Sequence, residues 1–134
     1  MKRNILTIVM LSLAVFALIA GCLSLPGGTE RLTEKNNGTD VHLTVGDTLI
    51  VTLNANPTTG YNWEIEALNP LLLSRVGAPQ FLTSSQMIGA SGKMVFTFKA
   101  SSPGTCDLSL VYRRSWERNA NPAGLFKISL TIKE

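Results

Sequence analysis

Histidine occurs once in these 134 residues and cysteine twice, a scarcity that removes most site chemistry at the outset. The lone His42 lies in a short alternating stretch, where it reads as structural or surface, and no cysteine pairs with it as a nucleophile. No glycine-rich phosphate loop opens a helix and no metal-ligand spacing occurs. The acids Asp40, Asp47, Glu64, Glu66 and Asp107 are scattered over strand faces and turns, so they make no case for a paired general acid and base. Neither catalysis, nor a metal, nor a cofactor is expected. Basic clusters and RNA-binding aromatic patterns are missing too, which speaks against a nucleic-acid partner. No window of about twelve residues carries a convincing helical period.

The longest apolar run is N-terminal. Lys2 and Arg3 precede Ile5 to Ala20, a stretch of 16 residues (5 to 20) in which only Thr7 and Ser12 are polar. That is the layout of a secretory signal, and it is short of the roughly 20 residues a membrane-spanning helix needs. It ends in Leu18-Ile19-Ala20-Gly21-Cys22, small residues before a cysteine, which resembles the lipobox of prokaryotic lipoproteins. The resemblance implies cleavage after residue 21 and lipid on Cys22. It further implies export, with anchorage to the outer face of the cell membrane or envelope. A weakly inserted transmembrane anchor with an incidental cysteine is the plainer alternative. The remaining 113 residues (22 to 134) suit one domain. Removing Lys2 and Arg3 leaves 10 basic against 9 acidic residues, so the mature chain is close to neutral. With Cys22 lipidated, Cys106 has no disulfide partner; its place in an alternating stretch reads as a small buried hydrophobe.

Residues 23–38 mix Pro, Gly, Asn and charge without a period and read as a flexible tether, so the folded part is expected from about Thr39. Beyond it the alternation is that of half-buried strands. Val41–Leu43 is short. In 48–55 Leu49, Val51 and Leu53 share a face, and in 61–67 Tyr61, Trp63 and Ile65 do. Stretches 71–76 and 81–84 are weaker. Met94, Phe96 and Phe98 form one stripe, Cys106, Leu108, Leu110 and Tyr112 another, and Phe126, Ile128, Leu130 and Ile132 the last. Short strands punctuated by Gly, Pro and Asn predict an all-β fold, an antiparallel β-sandwich in which the stripes bury one another.

Three loops carry more than turn chemistry. Asn56-Pro57-Thr58-Thr59-Gly60-Tyr61 joins two strong strands; a turn explains Asn56, Pro57 and Gly60 but not two adjacent threonines followed by aromatics. Met87-Ile88-Gly89-Ala90-Ser91-Gly92 is small and flexible. From Arg113 to about Gly124, Trp116 sits among charges, either folded back as a lid on the sandwich or exposed as an interface anchor. Two strands are expected between the first and second loops and two between the second and third. An even number returns the chain to the same end, so the loops should form one tip.

At these loops the chain resembles the chagasin-type inhibitors of papain-family cysteine peptidases. NPTTGYNW, Asn56 to Trp63, matches the family's first motif residue for residue. Gly89-Ala90-Ser91-Gly92 departs from the family's Gly-x-Gly-Gly, and Arg114-Ser115-Trp116 from its Arg-Pro-Trp. The missing proline should leave the third loop less preorganised, and Ser91 would be strained if its place required a positive φ. The resemblance implies an immunoglobulin-like, Greek-key β-sandwich over residues 39–134. It also implies reversible occlusion of a peptidase cleft by a monomer: Asn56 to Tyr61 over the catalytic centre, Met87 to Gly92 on the non-primed side, and Arg114, Ser115 and Trp116 on the primed side. A surface-anchored binding or adhesion module is the alternative, because sandwiches host many functions.

Overall fold

The computed structural model describes residues 27–83, 87 and 89–134. In chain order the strands are β1 (Thr29–Leu32), β2 (Asp40–Thr44), β3 (Thr48–Ala55), β4 (Tyr61–Ala67), β5 (Leu73–Arg75), β6 (Gln80–Leu82), β7 (Gly92–Ala100), β8 (Gly104–Arg114) and β9 (Gly124–Lys133). One sheet runs β1-β3-β7-β5, with β6 also paired to β7; the other runs β2-β9-β8-β4. This is an immunoglobulin-like β-sandwich. The inner faces are the stripes read from the alternation: Leu49, Val51, Leu53, Phe96 and Phe98 of one sheet are buried with Leu108, Leu110, Phe126, Ile128 and Leu130 of the other.

Three features differ from the sequence expectation. Each sheet is mixed, because β1 pairs parallel with β3 and β2 parallel with β9. The chain passes up through one sheet and down through the other before returning, so β1 and β3, one pass apart, run the same way. The folded part also begins by Thr29, inside the stretch read as a tether, with a 3-10 turn at Glu34–Asn36 following β1. TERL buries only Leu32, so it shows no alternation; its pairing to the edge of β3 is made by the backbone. Residues 23–26 of that tether, and Ser84 of the second weak strand, lie outside the described residues.

The outer face of β8 also departs from simple alternation: Ser109 and Val111, which lie opposite the Cys106, Leu108, Leu110 and Tyr112 stripe, are buried. This strand is central in its sheet, with Glu64 of β4 and Leu125 of β9 on either side of Val111. Ser109 donates to Glu66 Oε2 (3.2 Å), and Arg113 Nε lies 3.4 Å from Glu64 Oε2.

The weak segments explain how three strands fit between the first two loops. β5 and β6 both run antiparallel along the same edge of β7, Arg75 opposite Phe98 and Gln80 opposite Val95. They are two pieces of one pass, with residues 76–79 bulging against two residues of β7. Counted as passes, the number stays even, and all three loops emerge at one pole. At the opposite pole the Asp47 carboxylate accepts from the backbone N–H groups of Gly28 and Thr44 (both 2.8 Å), and Val45 N donates to Lys133 O.

Candidate functional site

The loop between β3 and β4 is a single 3-10 turn, Pro57–Thr59, entered at Asn56 and left through Gly60 at φ +83°. Proline fixes φ at the first helical position, and glycine takes the left-handed conformation that a side chain would oppose. Asn56 ties the turn together. Its carbonyl accepts from Thr59 N (3.2 Å) and Thr59 Oγ1 (2.7 Å), and its Oδ1 accepts from Thr58 Oγ1 (2.5 Å). Its Nδ2 donates to Gly89 O of the second loop (3.2 Å), and its backbone N–H donates to the Tyr112 hydroxyl (2.9 Å).

Beneath the turn lies an aromatic group. Tyr112 packs against Tyr61 and Trp63, with ring centroids 5.4 and 5.1 Å away, and Trp63 Nε1 donates to Asn54 O (2.9 Å). Arg114 closes the other side: Nε donates to Thr59 O (3.1 Å) and the guanidinium lies 4.5 Å over the Tyr61 ring. Its Nη1 faces Glu117 Oε1 at 3.4 Å.

The third loop begins as a β-turn, Glu117 N donating to Arg114 O (3.0 Å), with Ser115 and Trp116 at its two central positions. Trp116 is 70 % exposed, so it is not a lid on the core. It leans on the first loop: a Cβ at Gly60 would stand 2.6 Å from Trp116 Cη2. In the second loop Met87 is 79 % exposed and Ala90 N donates to Met87 O (3.1 Å). The positive φ there belongs to Gly89, so Ser91 carries no such strain. Gly92 is needed for approach, since a Cβ would meet Leu82 O at 2.3 Å. Ile88 lies outside the described residues.

Of the residues singled out in the sequence, Asn56, Pro57, Thr58, Thr59, Gly60 and Tyr61 are thus gathered with Gly89 and with Arg114 and Trp116 at one pole. Thr58 and Thr59 are exposed at the tip, whereas Asn56 and Tyr61 are partly buried and turned to supporting it. Tyr112, Trp63 and Asn54 support it as well; alternation marked the first two only as inward-facing. His42 is exposed on β2, away from the tip. Cys106 is partly buried against the core, and burial, then the Asp107 carboxylate, push its thiol above the ordinary range, away from a nucleophile's poise.

A family model described as "Chagasin family peptidase inhibitor I42" matches residues 42–131. The chain belongs to the chagasin family. It is a peptidase inhibitor and not an enzyme. Amoebiasin-2 of Entamoeba histolytica is 30 % identical over 119 residues, covering 88 % of this chain and 95 % of that protein. Chagasin of Trypanosoma cruzi is 27 % identical over 107 residues, covering 76 % and 96 %. Among solved structures, the cysteine protease inhibitor EhICP2 from Entamoeba histolytica superposes with a TM-score of 0.70 at 25 % identity, covering 79 % of this chain and 96 % of that one. These chagasin-family relatives are proteins of eukaryotic parasites, which corrects the reading of residues 1–22 as a prokaryotic lipoprotein signal. Two small residues before a cysteine are too short a pattern to carry lineage, and residues 1–26, Cys22 included, lie outside the described residues.

Proposed function

We propose that this chagasin-family chain reversibly inhibits papain-like cysteine peptidases, as a monomer, by seating its three-loop tip in the active-site cleft. The observation that carries the reading is the self-satisfied first loop. The carbonyls of Asn56, Pro57 and Thr59 already accept hydrogen bonds from Thr59, Gly60 and Arg114, and the backbone is a 3-10 turn rather than an extended strand. Such a turn fills a narrow cleft with Thr58 and Thr59 while offering no extended peptide for cleavage, and its order costs little on binding. The segments Met87–Gly92 and Arg114–Trp116 flank it and fit the two sides of a cleft. All three loops come from one chain, so one copy makes a whole site.

Titration against an active-site-calibrated papain-like peptidase should show one-to-one, reversible loss of activity with the inhibitor intact. Steady turnover of the chain as a substrate would sink the reading.

The third loop gives a gentler test. Ser115 occupies the first central position of its β-turn, where proline's fixed φ is welcome, and the preceding Arg114 is already extended in β8. Ser115→Pro should therefore bind about two- to fivefold more tightly, the scale of a backbone restriction that the native conformation accepts. Weaker binding would show that the turn has another φ there.

Export and retention at the outer face of a membrane complete the proposal, supported by Lys2, Arg3 and the apolar run to Ala20. Cell fractionation checks it: the chain should sediment with membranes and be open to added protease. Loss of sedimentation in Cys22→Ser would assign the attachment to lipid at that cysteine. A wholly cytosolic chain would end the proposal.

A further inference from the structure

We infer that Tyr112 is a positioning residue for inhibition, its hydroxyl fixing the entry of the first loop, and this rests on the inhibitory reading above. Tyr112 stands on β8, in the sheet opposite β3, and its hydroxyl accepts the N–H of Asn56 at 2.9 Å. That N–H is the first one beyond the end of β3, since the ladder with β7 closes at Ala55 opposite Gly92. The bond therefore joins the two sheets directly beneath the tip. Everything else that Asn56 holds belongs to the tip itself: Thr58, Thr59 and Gly89. Two residues further along the same face of β8, Arg114 fixes the carbonyl of Thr59 at the other end of the turn. Entry and exit of the 3-10 turn are thus both pinned by β8, one by a neutral hydroxyl and one by a guanidinium.

The Tyr112 ring is held independently of its hydroxyl, by Tyr61 and Trp63. Removing the oxygen therefore leaves the aromatic packing in place and frees only the Asn56 N–H, a partly buried donor. The loop then keeps its sequence, its proline and its contacts with Gly89, but its entry can swing. A peptidase cleft that receives a mobile turn has to order it, which costs affinity, and can also draw it out into an extended, cleavable form.

The test uses the full chain, solubilised in mild detergent, as parent and as Tyr112→Phe. A core variant, Ile128→Val, lowers stability far from the tip and serves as the control. Expected for Tyr112→Phe are about tenfold weaker inhibition of a papain-like peptidase, seen mainly as faster dissociation, and slow cleavage between residues 56 and 61. The Asn56 amide should exchange faster and shift upfield in NMR spectra without peptidase. Ile128→Val, at equal or greater loss of melting temperature, should leave all three readouts at parental values.

An unchanged inhibition constant and an intact loop, with the Asn56 amide altered, would overturn the inference. So would loss of inhibition matched by Ile128→Val, because the effect would then be general stability. A parent chain that inhibits no papain-like peptidase would overturn the inhibitory reading and this inference with it. A parent that inhibits while Tyr112→Phe equals it overturns the inference alone.

Discussion

Trp116→Ala should weaken inhibition of a papain-like peptidase by roughly 30- to 700-fold, the range that 2–4 kcal/mol at a buried interface anchor represents. The indole is 70 % exposed in the free molecule and lies against Gly60, so it presents an apolar plate at the rim of the tip. On entering a cleft it loses water from a large area. The same exposure predicts that thermal stability hardly changes, within about 0.5 kcal/mol, because the fold gains little from a side chain it leaves in solvent. Inhibition constants and melting curves of the two proteins check both halves. A parental inhibition constant would remove Trp116 from the interface.

Gly60→Ala should also weaken inhibition, by less and for a different reason. At φ +83° the added methyl strains the backbone by about 1–2 kcal/mol. At 2.6 Å from Trp116 Cη2 it also occupies space that no carbon can share, so either the indole or the turn must move. One substitution thereby disturbs the threonine tip and the tryptophan plate together. The double variant Gly60→Ala/Trp116→Ala should fall well short of the sum of the two, since removing the indole removes the clash. Gly46→Ala is the control: φ is +95° there too, but a Cβ would meet nothing within 4 Å and the site lies at the other pole. That variant should lose stability and keep full inhibition. If Gly60→Ala behaves like it, the contact with Trp116 is unimportant.

The stripes Leu49-Val51-Leu53, Phe96-Phe98 and Phe126-Ile128-Leu130 were legible because one buried face on a strand leaves period-two alternation, and all three are in the core. Thr29–Leu32 was not legible, because an edge strand held by backbone pairing needs almost no apolar residues. Burial of Ser109 was hidden for a related reason: its hydroxyl is bonded to Glu66, a charged residue that hydropathy counts as solvent-facing.

The site divides in the same way. Its loops could be found because NPTTGY carries turn residues and non-turn residues in one short stretch, and strand parity brought the loops to one end. The division of labour inside them could not be found. Asn56 and Tyr61 sit within the motif but spend their polar and aromatic groups on neighbours, whereas Tyr112 lies some fifty residues away (56 to 112) and acts on the same turn. Only the crossing of β8 beneath β3 makes them partners.

The Asp47 clamp at the far pole has a practical corollary. It fastens Gly28 beside Thr44, and Lys133 is bonded to Val45 close by, so both ends of the described chain leave the molecule together. The eight residues of β3 separate that exit from the threonines by about 25 Å. The domain is therefore built like a plug with its handle at the back. A resin, a fused cargo or a membrane joined to either terminus would leave the working end pointing outward, and an immobilised molecule should capture peptidase as fully as a free one.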